Sequence, residues 1–243
     1  MIKEKVKDEK IEKLFSVGAH FGLIRSRRHP TATPFIFGSK NKIEIFDLEK
    51  VSASLLKAKD FIKKIASEGG LVLFVGGKKE ARGAVEDGAK KTGMPYVADR
   101  WLGGTLTNFD QIRKRVLRLD DLTSQKEKGE LAKYTKKERL LIDREIATLN
   151  KLFSGLSPMT RLPKVIFVID SKHEITAVRE AKKLSIPIVS LSSSDCDFWE
   201  VEYPIPGNDS SKTSIRFFVD EITEAIEQGK KSSNPVKSEA TTS

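Results

Sequence analysis

The sequence predicts an α/β fold: a parallel β-sheet sandwiched between helix layers, with an antiparallel helical hairpin inserted into it. Three observations lead there. The apolar runs Leu71–Val75 and Val165–Ile169 have the composition of strands buried on both faces, and Ile186–Leu191 reads as another strand. Between such runs apolar residues recur at helical spacing, the alternation that gives a layered α/β domain. From Tyr96 to about Leu162 that rhythm stops, and two helical stripes separated by a polar stretch take its place. The expected organisation is a charged lead over 1–13, one α/β domain built from 14–106 and 156–229, the hairpin over 107–155, and a disordered tail over 230–243.

At 243 residues and 38% apolar content, the chain can bury a core as one domain with an insertion. No apolar run approaches the roughly 18 residues of a helical membrane span. Met1–Lys13 also lacks the apolar stretch of a secretory signal, so a place in the cytoplasm or an organelle is expected. A single cysteine, Cys196, allows neither an intrachain disulfide nor a multi-cysteine metal cage. The net charge of +10 is unevenly spread: 33 Lys+Arg against 21 Asp+Glu over 1–160, 8 against 12 over 161–229, and 3 against 1 beyond. An excess confined to the first two-thirds points to a polyanionic partner, because neutralising phosphates releases counterions. A solvated basic surface is the plainer alternative.

Taken in order, residues 1–13 alternate Lys and Glu, which predicts a short frayed helix or a disordered lead. From Leu14 to Lys42 there is no acid at all. Arg25, Arg27, Arg28, Lys40 and Lys42 stand among His20, Phe21, His29, Phe35 and Phe37, the mixture of cations and aromatic faces that phosphates and unpaired bases require. Gly18, Gly22, Pro30 and Pro34 predict an irregular segment whose amides are open to phosphates. Lys42–Phe46 alternates as a strand does, and a helix follows from Asp47, its buried face marked by Val51, Leu55, Ala58, Ile62 and Ile65 and its end by Gly69-Gly70.

The strand Leu71–Val75 runs into Gly76-Gly77-Lys78-Lys79 and then a helix through Ala81, Val85 and Ala89. That edge is where open α/β sheets bind anions. Neither nucleotide fingerprint, G-x-x-x-x-G-K-[ST] or G-x-G-x-x-G, is met. The favoured reading has Gly76, Gly77, Lys78, Lys79 and Arg82 meeting a polymer's phosphate, with a plain strand-to-helix turn as the alternative. Next, Arg100-Trp101 is a pair suited to stacking, Gly103-Gly104 permits unusual backbone angles, and Thr107 or Asn108 can cap the helix that follows. Ile112, Val116 and Leu119, then Ile142, Ile146, Leu149 and Phe153, are the facing stripes of the hairpin. Its outer faces carry Arg113, Lys114, Arg115 and Arg118 on one arm and Lys133, Lys136, Lys137 and Arg139 on the other, a pattern that a solvated helix also shows.

From Leu162 the β/α rhythm returns, with a helix through Ala177, Val178, Ala181 and Leu184, a proline-broken edge piece at Val201–Ile205, a turn at Pro206–Asp209, and a last helix striped by Ile215, Val219, Ile222 and Ile226 to Gly229. Nothing looks catalytic. The histidines lack metal-ligand spacing, and Cys196 sits in an acidic loop that raises a thiol pKa. Asp170 with His173 reads as a cap or turn before it reads as an acid/base pair.

Four ordered motifs carry a resemblance. Phe15–Gly22, Pro34–Gly38 with Asn41-Lys42, Arg100–Asn108 and Ile205–Asp209, together with the stretch Pro163–Pro187, resemble the small ribosomal subunit protein 2 family of the bacterial and organellar type, over about Leu14–Gly229. The resemblance implies a flavodoxin-like domain with a coiled-coil hairpin and a non-enzymatic role without a cofactor. It implies binding of small-subunit ribosomal RNA late in assembly, near the head and body junction, and help in docking ribosomal protein 1, with no membrane and no homo-oligomer. It draws attention to His20, Asn41, Lys42, Arg100, Trp101 and Asn108, where the family pattern has the same residues. Leu23 and Ile24 replace a polar pair usual in the family, and Ser185 stands where glycine is common, so a non-glycine residue must close a helix.

Three readings follow: a ribosomal RNA-binding structural protein, a nucleotide- or sugar-phosphate-using enzyme working at Gly76–Lys79, and a helical-hairpin adaptor without nucleic acid. On the first, replacing Arg25, Arg27 and Arg28 together with alanine is expected to weaken RNA association without unfolding the domain.

Overall fold

The computed structural model describes residues 2–233. The first element is a helix, α1 (Ile2–Ser16), anchored at its far end by Leu14, whose side chain is buried in the main core. The basic segment that follows is more regular than its glycines and prolines suggest. β1 (Phe21–Ile24), β2 (Ile36–Lys40) and β3 (Ile43–Phe46) form a small antiparallel sheet in the order β1-β3-β2. Register shifts interrupt both pairings, so the period-two alternation that marks a strand is broken.

The main sheet begins after α2 (Leu48–Ser67), whose N-cap Asp47 accepts a hydrogen bond from the Glu49 amide. Then come β4 (Val72–Val75), α3 (Lys79–Thr92) and the short β5 (Tyr96–Val97). The long helices α4 (Phe109–Glu127) and α5 (Lys136–Phe153) are followed by β6 (Val165–Ile169), α6 (Ile175–Lys183), β7 (Ile188–Ser192), β8 (Tyr203–Pro206) and α7 (Lys212–Ser233). The five strands are all parallel, in the order β5-β4-β6-β7-β8. Counting β4 as the first, this is the 2-1-3-4-5 order of a flavodoxin-like sheet.

Alternate strand residues feed two cores. Val72, Phe74, Phe167 and Val189 pack against α2, α3 and α7 on one face. Leu73, Val75, Ile166 and Val168 pack on the other against α6 and against Val116, Leu119, Leu149 and Phe153 from α4 and α5. The inserted helices therefore supply part of the second layer. They run antiparallel, tied by Arg118–Glu145 and Lys126–Asp143, and a capping box between Thr135 and Glu138 starts α5.

One helix end differs from expectation and another matches it. α7 continues past Gly229 to Ser233, and a Cβ on Gly229 would stand 2.5 Å from the Lys63 carbonyl, so this glycine permits close packing on α2 and does not end the helix. The remainder of the expected tail, and Met1, lie outside the described residues. At the other helix in question, Ser185 adopts φ +54, and the Ile186 amide donates to Ala181 to close α6. A left-handed non-glycine residue costs about 1 kcal/mol, so the α6–β7 turn holds local strain where glycine would hold none.

Candidate nucleic-acid interface

The antiparallel sheet brings the cations of the N-terminal segment together. Arg25 and Arg27 lie exposed in a 3₁₀ turn after β1, and the Arg25 amide donates to the Lys42 carbonyl at 3.0 Å, holding that turn against the β2–β3 turn. Lys40, Asn41 and Lys42 are exposed there, Asn41 and Lys42 both at positive φ of 52° and 68°. A two-residue hairpin whose central residues are both left-handed normally uses glycine, so this turn keeps a lysine at a conformational cost. The sheet is pinned from below by Ser194, which accepts the Leu23 amide on its hydroxyl and the His29 amide on its carbonyl.

Arg28 differs from its neighbours. Its Nη1 donates to Glu44 Oε1 at 3.0 Å, and Glu44 is buried with its other oxygen unpartnered, so Arg28 neutralises an internal charge. This corrects the expectation for the triple alanine variant. Removing Arg28 leaves a buried carboxylate without its counter-ion, a change that destabilises the fold and confuses any binding result. His20 is also interior: it stacks on Phe15 with centroids 4.6 Å apart and lies tilted against Phe21 at 4.0 Å, and burial holds its pKa below the usual value. As a neutral imidazole it contributes packing and not charge.

The crevice at the carboxyl ends of β4 and β6, where such sheets hold ligands, is filled from within. Lys78 Nζ lies 2.5 Å from Asp170 Oδ2 and 3.2 Å from Asp209 Oδ2, and the Gly77 amide donates to Glu174 Oε1 at 3.0 Å. A Cβ on Gly77 would stand 2.7 Å from that carboxylate and 2.8 Å from the Asp99 carbonyl. Burial and the charge of Asp170 push the Asp209 carboxyl up to about 6, while Asp170, opposed by its own burial, is held below the usual range by Lys78 and the His173 amide. Cys196 touches Asp170 through its thiol, and burial pushes its pKa up to about 12, so it is inert. Asp170, Cys196 and Asp209 offer ligand atoms within 4.8 Å of one another, but the cation they already face is Lys78. Lys78 is therefore engaged by the protein's own carboxylates. Arg82 is likewise engaged, with Asp99 and the Ala98 carbonyl, whereas Lys79 is exposed beside Lys212 and Arg216 on a shallow cleft.

The Arg100–Asn108 stretch turns on a residue that sequence reasoning left without a role, Glu180. One oxygen accepts from Trp101 Nε1 at 3.1 Å and the Gly104 amide at 2.7 Å; the other accepts from the Leu106 amide at 2.9 Å and from the amide and hydroxyl of Thr107. Burial works against the charge, yet these donors hold the Glu180 pKa below its usual value. The Arg100-Trp101 pair is thus divided: Trp101 is inside the second core, unavailable for stacking, and Arg100 is exposed. Asn108 occupies the N-cap of α4, exposed and without a side-chain cap bond. The sequence does hold a signal for Glu180, a carboxylate on the apolar side of a helix beside Ala177 and Ala181.

Residues 14–229 match the family described as Ribosomal protein S2. The chain belongs to the ribosomal protein S2 family. It is 43% identical over 217 residues to a protein of a Nitratiruptor species, covering 89% of this chain and 81% of that one. It is 40% identical over 223 residues to one of Rhodopirellula baltica, 92% and 86% of the two chains, and 42% identical over 219 residues to one of Chloroflexus aurantiacus, 90% and 92%. Each of these relatives is named small ribosomal subunit protein uS2.

An S2 family member is a ribosomal structural protein in translation and not an enzyme, which sets aside the small-molecule reading of Gly76–Lys79. The filled crevice gives the physical counterpart. On the inserted helices of this S2 chain, Arg113 is half-buried and its Nη1 donates to the Met159 carbonyl at 3.4 Å, so it braces the root of α4. Arg115 is exposed. Of the cations and polar groups expected at an interface, Arg25, Arg27, Lys40, Asn41, Lys42, Lys79, Arg100, Asn108 and Arg115 reach solvent. His20, Arg28, Lys78, Trp101 and Arg113 are wholly or partly committed inside, and Arg82 is exposed but paired with Asp99.

Proposed function

We propose that this chain is a structural component of the small ribosomal subunit that binds small-subunit ribosomal RNA late in assembly and helps dock ribosomal protein 1. One observation carries the RNA reading: the backbone bond from Arg25 to Lys42 joins two cationic turns into one surface, on a segment with no acid from Leu14 to Lys42. Exposed ammonium and guanidinium groups are set to neutralise phosphates. Binding to a small-subunit RNA transcript is expected to weaken steeply across a salt series. Replacing Arg25 and Arg27 with alanine, leaving Arg28 on Glu44, should weaken binding roughly tenfold and flatten the salt slope by about 2. Wild-type affinity in that double variant removes these turns from the interface, and salt-independent binding removes the reading itself.

Docking of a protein partner is supported by the outer face of the same sheet. Phe37, at the β2 register shift, is 80% exposed, and Phe21, Ile24 and Ile43 are exposed beside it. Large apolar side chains clustered on one face mark protein contact more than phosphate contact. Particles carrying Phe37→Ser are expected to retain ribosomal protein 1 poorly while the RNA affinity stays at the wild-type level. Full retention would show that protein 1 docks elsewhere.

A further inference from the structure

The last third of the chain carries the reverse of the N-terminal segment's charge. From Leu184 to Ser211 there is no Lys, Arg or His, while Asp195, Asp197, Glu200 and Glu202 crowd the β7–β8 loop around Trp199. We infer that this loop is a docking site for a Lys/Arg-rich segment of another protein of the small subunit, with the Trp199 indole as its anchor. The inference goes beyond the RNA reading and does not depend on it.

Trp199 is 86% exposed, although a tryptophan ring offers about 150–250 Å² for burial. The backbone that presents it is fixed. Trp199 sits in a 3₁₀ turn, Phe198–Glu200, started by Asp197, whose carboxylate accepts the Trp199 amide at 2.9 Å. Phe198 is buried against Phe35, with ring centroids 5.2 Å apart, and its amide donates to Thr31 Oγ1 at 3.0 Å. Val201 is buried as well. With Phe198 and Val201 both turned into the body, the indole between them is held out to solvent. A partner then has to order one side chain and not a loop, and an aromatic anchor ringed by polar groups is the form that binding hot spots take.

The charges of the loop select the partner. Asp195 is taken by Lys172 at 2.8 Å, but Asp197 comes no closer than 3.9 Å to His29 Nδ1, and Glu200 no closer than 3.9 Å to Lys182. Glu202 is exposed, its Oε2 accepts the Ile188 amide, and among the described residues it has no ion-pair partner. Three carboxylates within three residues of Trp199 are thus weakly paired or unpaired. A guanidinium suits both features, since it stacks on tryptophan, the aromatic face that holds cations best, and forks onto a carboxylate. An ammonium answers the same charges with less geometry. A nucleic-acid base stacked on Trp199 would bring its own phosphates against these acids, so RNA is the disfavoured occupant.

Two measurements test this. The first titrates the full chain against a labelled alternating arginine–alanine peptide, with an alternating glutamate–alanine peptide as counterpart, and reads anisotropy. The basic peptide should bind and the acidic one should not. Trp199→Ala should weaken the basic peptide at least roughly tenfold, and Glu200→Gln with Glu202→Gln by roughly two- to fivefold. A matched pair on exposed positions of α4, Asp120→Asn with Glu127→Gln, removes the same charge elsewhere and should bind as wild type. No binding, equal losses in the two charge variants, or wild-type affinity in Trp199→Ala overturns the inference. The second places a photo-cross-linking benzoylphenylalanine at position 199 in assembled small subunits. An adduct to a segment of another small-subunit protein with an excess of Lys and Arg is expected. An adduct to RNA, an adduct to a segment without that excess, or no adduct in particles that contain the variant overturns it, and the titration decides alone if the variant does not enter particles.

Discussion

Glu180→Ala is expected to lower the stability of the fold by about 3–5 kcal/mol, because it removes the acceptor for four N–H donors and one hydroxyl at once. Leu106 and the Trp101 ring are buried, so water cannot replace the carboxylate there. Glu180→Gln keeps one acceptor oxygen but turns an amide group toward the donors, and should fall between alanine and wild type. Guanidinium unfolding measures the loss, with Trp199→Phe as background. Trp199 is 86% exposed and Trp101 is buried, so that background leaves a single fluorophore reporting on this site. A cost under about 1 kcal/mol would mean that the Arg100–Asn108 stretch is held by packing alone. The pH dependence has a definite sign. A carboxylate whose pKa is lowered by folding contributes stability that is present above its unfolded pKa and lost as the pH falls through the folded value. The wild-type chain should therefore lose this contribution in acid, and Glu180→Gln should lack it.

Lys78→Met should cost a similar amount, about 3–5 kcal/mol at neutral pH, by leaving Asp170 and Asp209 facing each other without their cation. Its distinguishing mark is again in the pH profile. In the wild-type chain Lys78 keeps Asp170 ionised and restrains the upward push that burial and Asp170 exert on Asp209. Without it both carboxyls rise. Groups with raised folded pKa values favour folding when protonated, so their contribution is present at low pH and lost as the pH climbs through the folded values. The variant should regain stability when the pH drops from 8 towards 5, by more than the wild-type chain does through Asp209. A variant whose deficit is the same at both pH values would show that Lys78 acts through the volume of its side chain and not through its charge.

How much of this was legible in advance depended on the reach of each signal. The apolar runs and helical stripes placed β4, β6, β7 and the long helices, since each pattern repeats within a few residues and reports directly on which side is buried. The four residues of β1 and the bulged β2 carried no such repeat, and the small sheet emerged only once β3 paired with both. Within the candidate interface, the free cations at Arg25, Arg27, Lys40 and Lys42 follow from composition, whereas their equally basic neighbour Arg28 turns inward to Glu44.

The sequence by itself settled the layered α/β class, the inserted helices, the concentration of positive charge in the first two-thirds and the family, because each is written in local spacing or in ordered motifs. Only the tertiary structure decided which polar groups are working parts of the scaffold. Trp101 finds Glu180 79 residues away, and the Leu23 amide finds Ser194 171 residues away. A lysine reads the same in sequence whether it ends in solvent or between two carboxylates. The difference lies in desolvation, and that is fixed when distant segments close around the side chain.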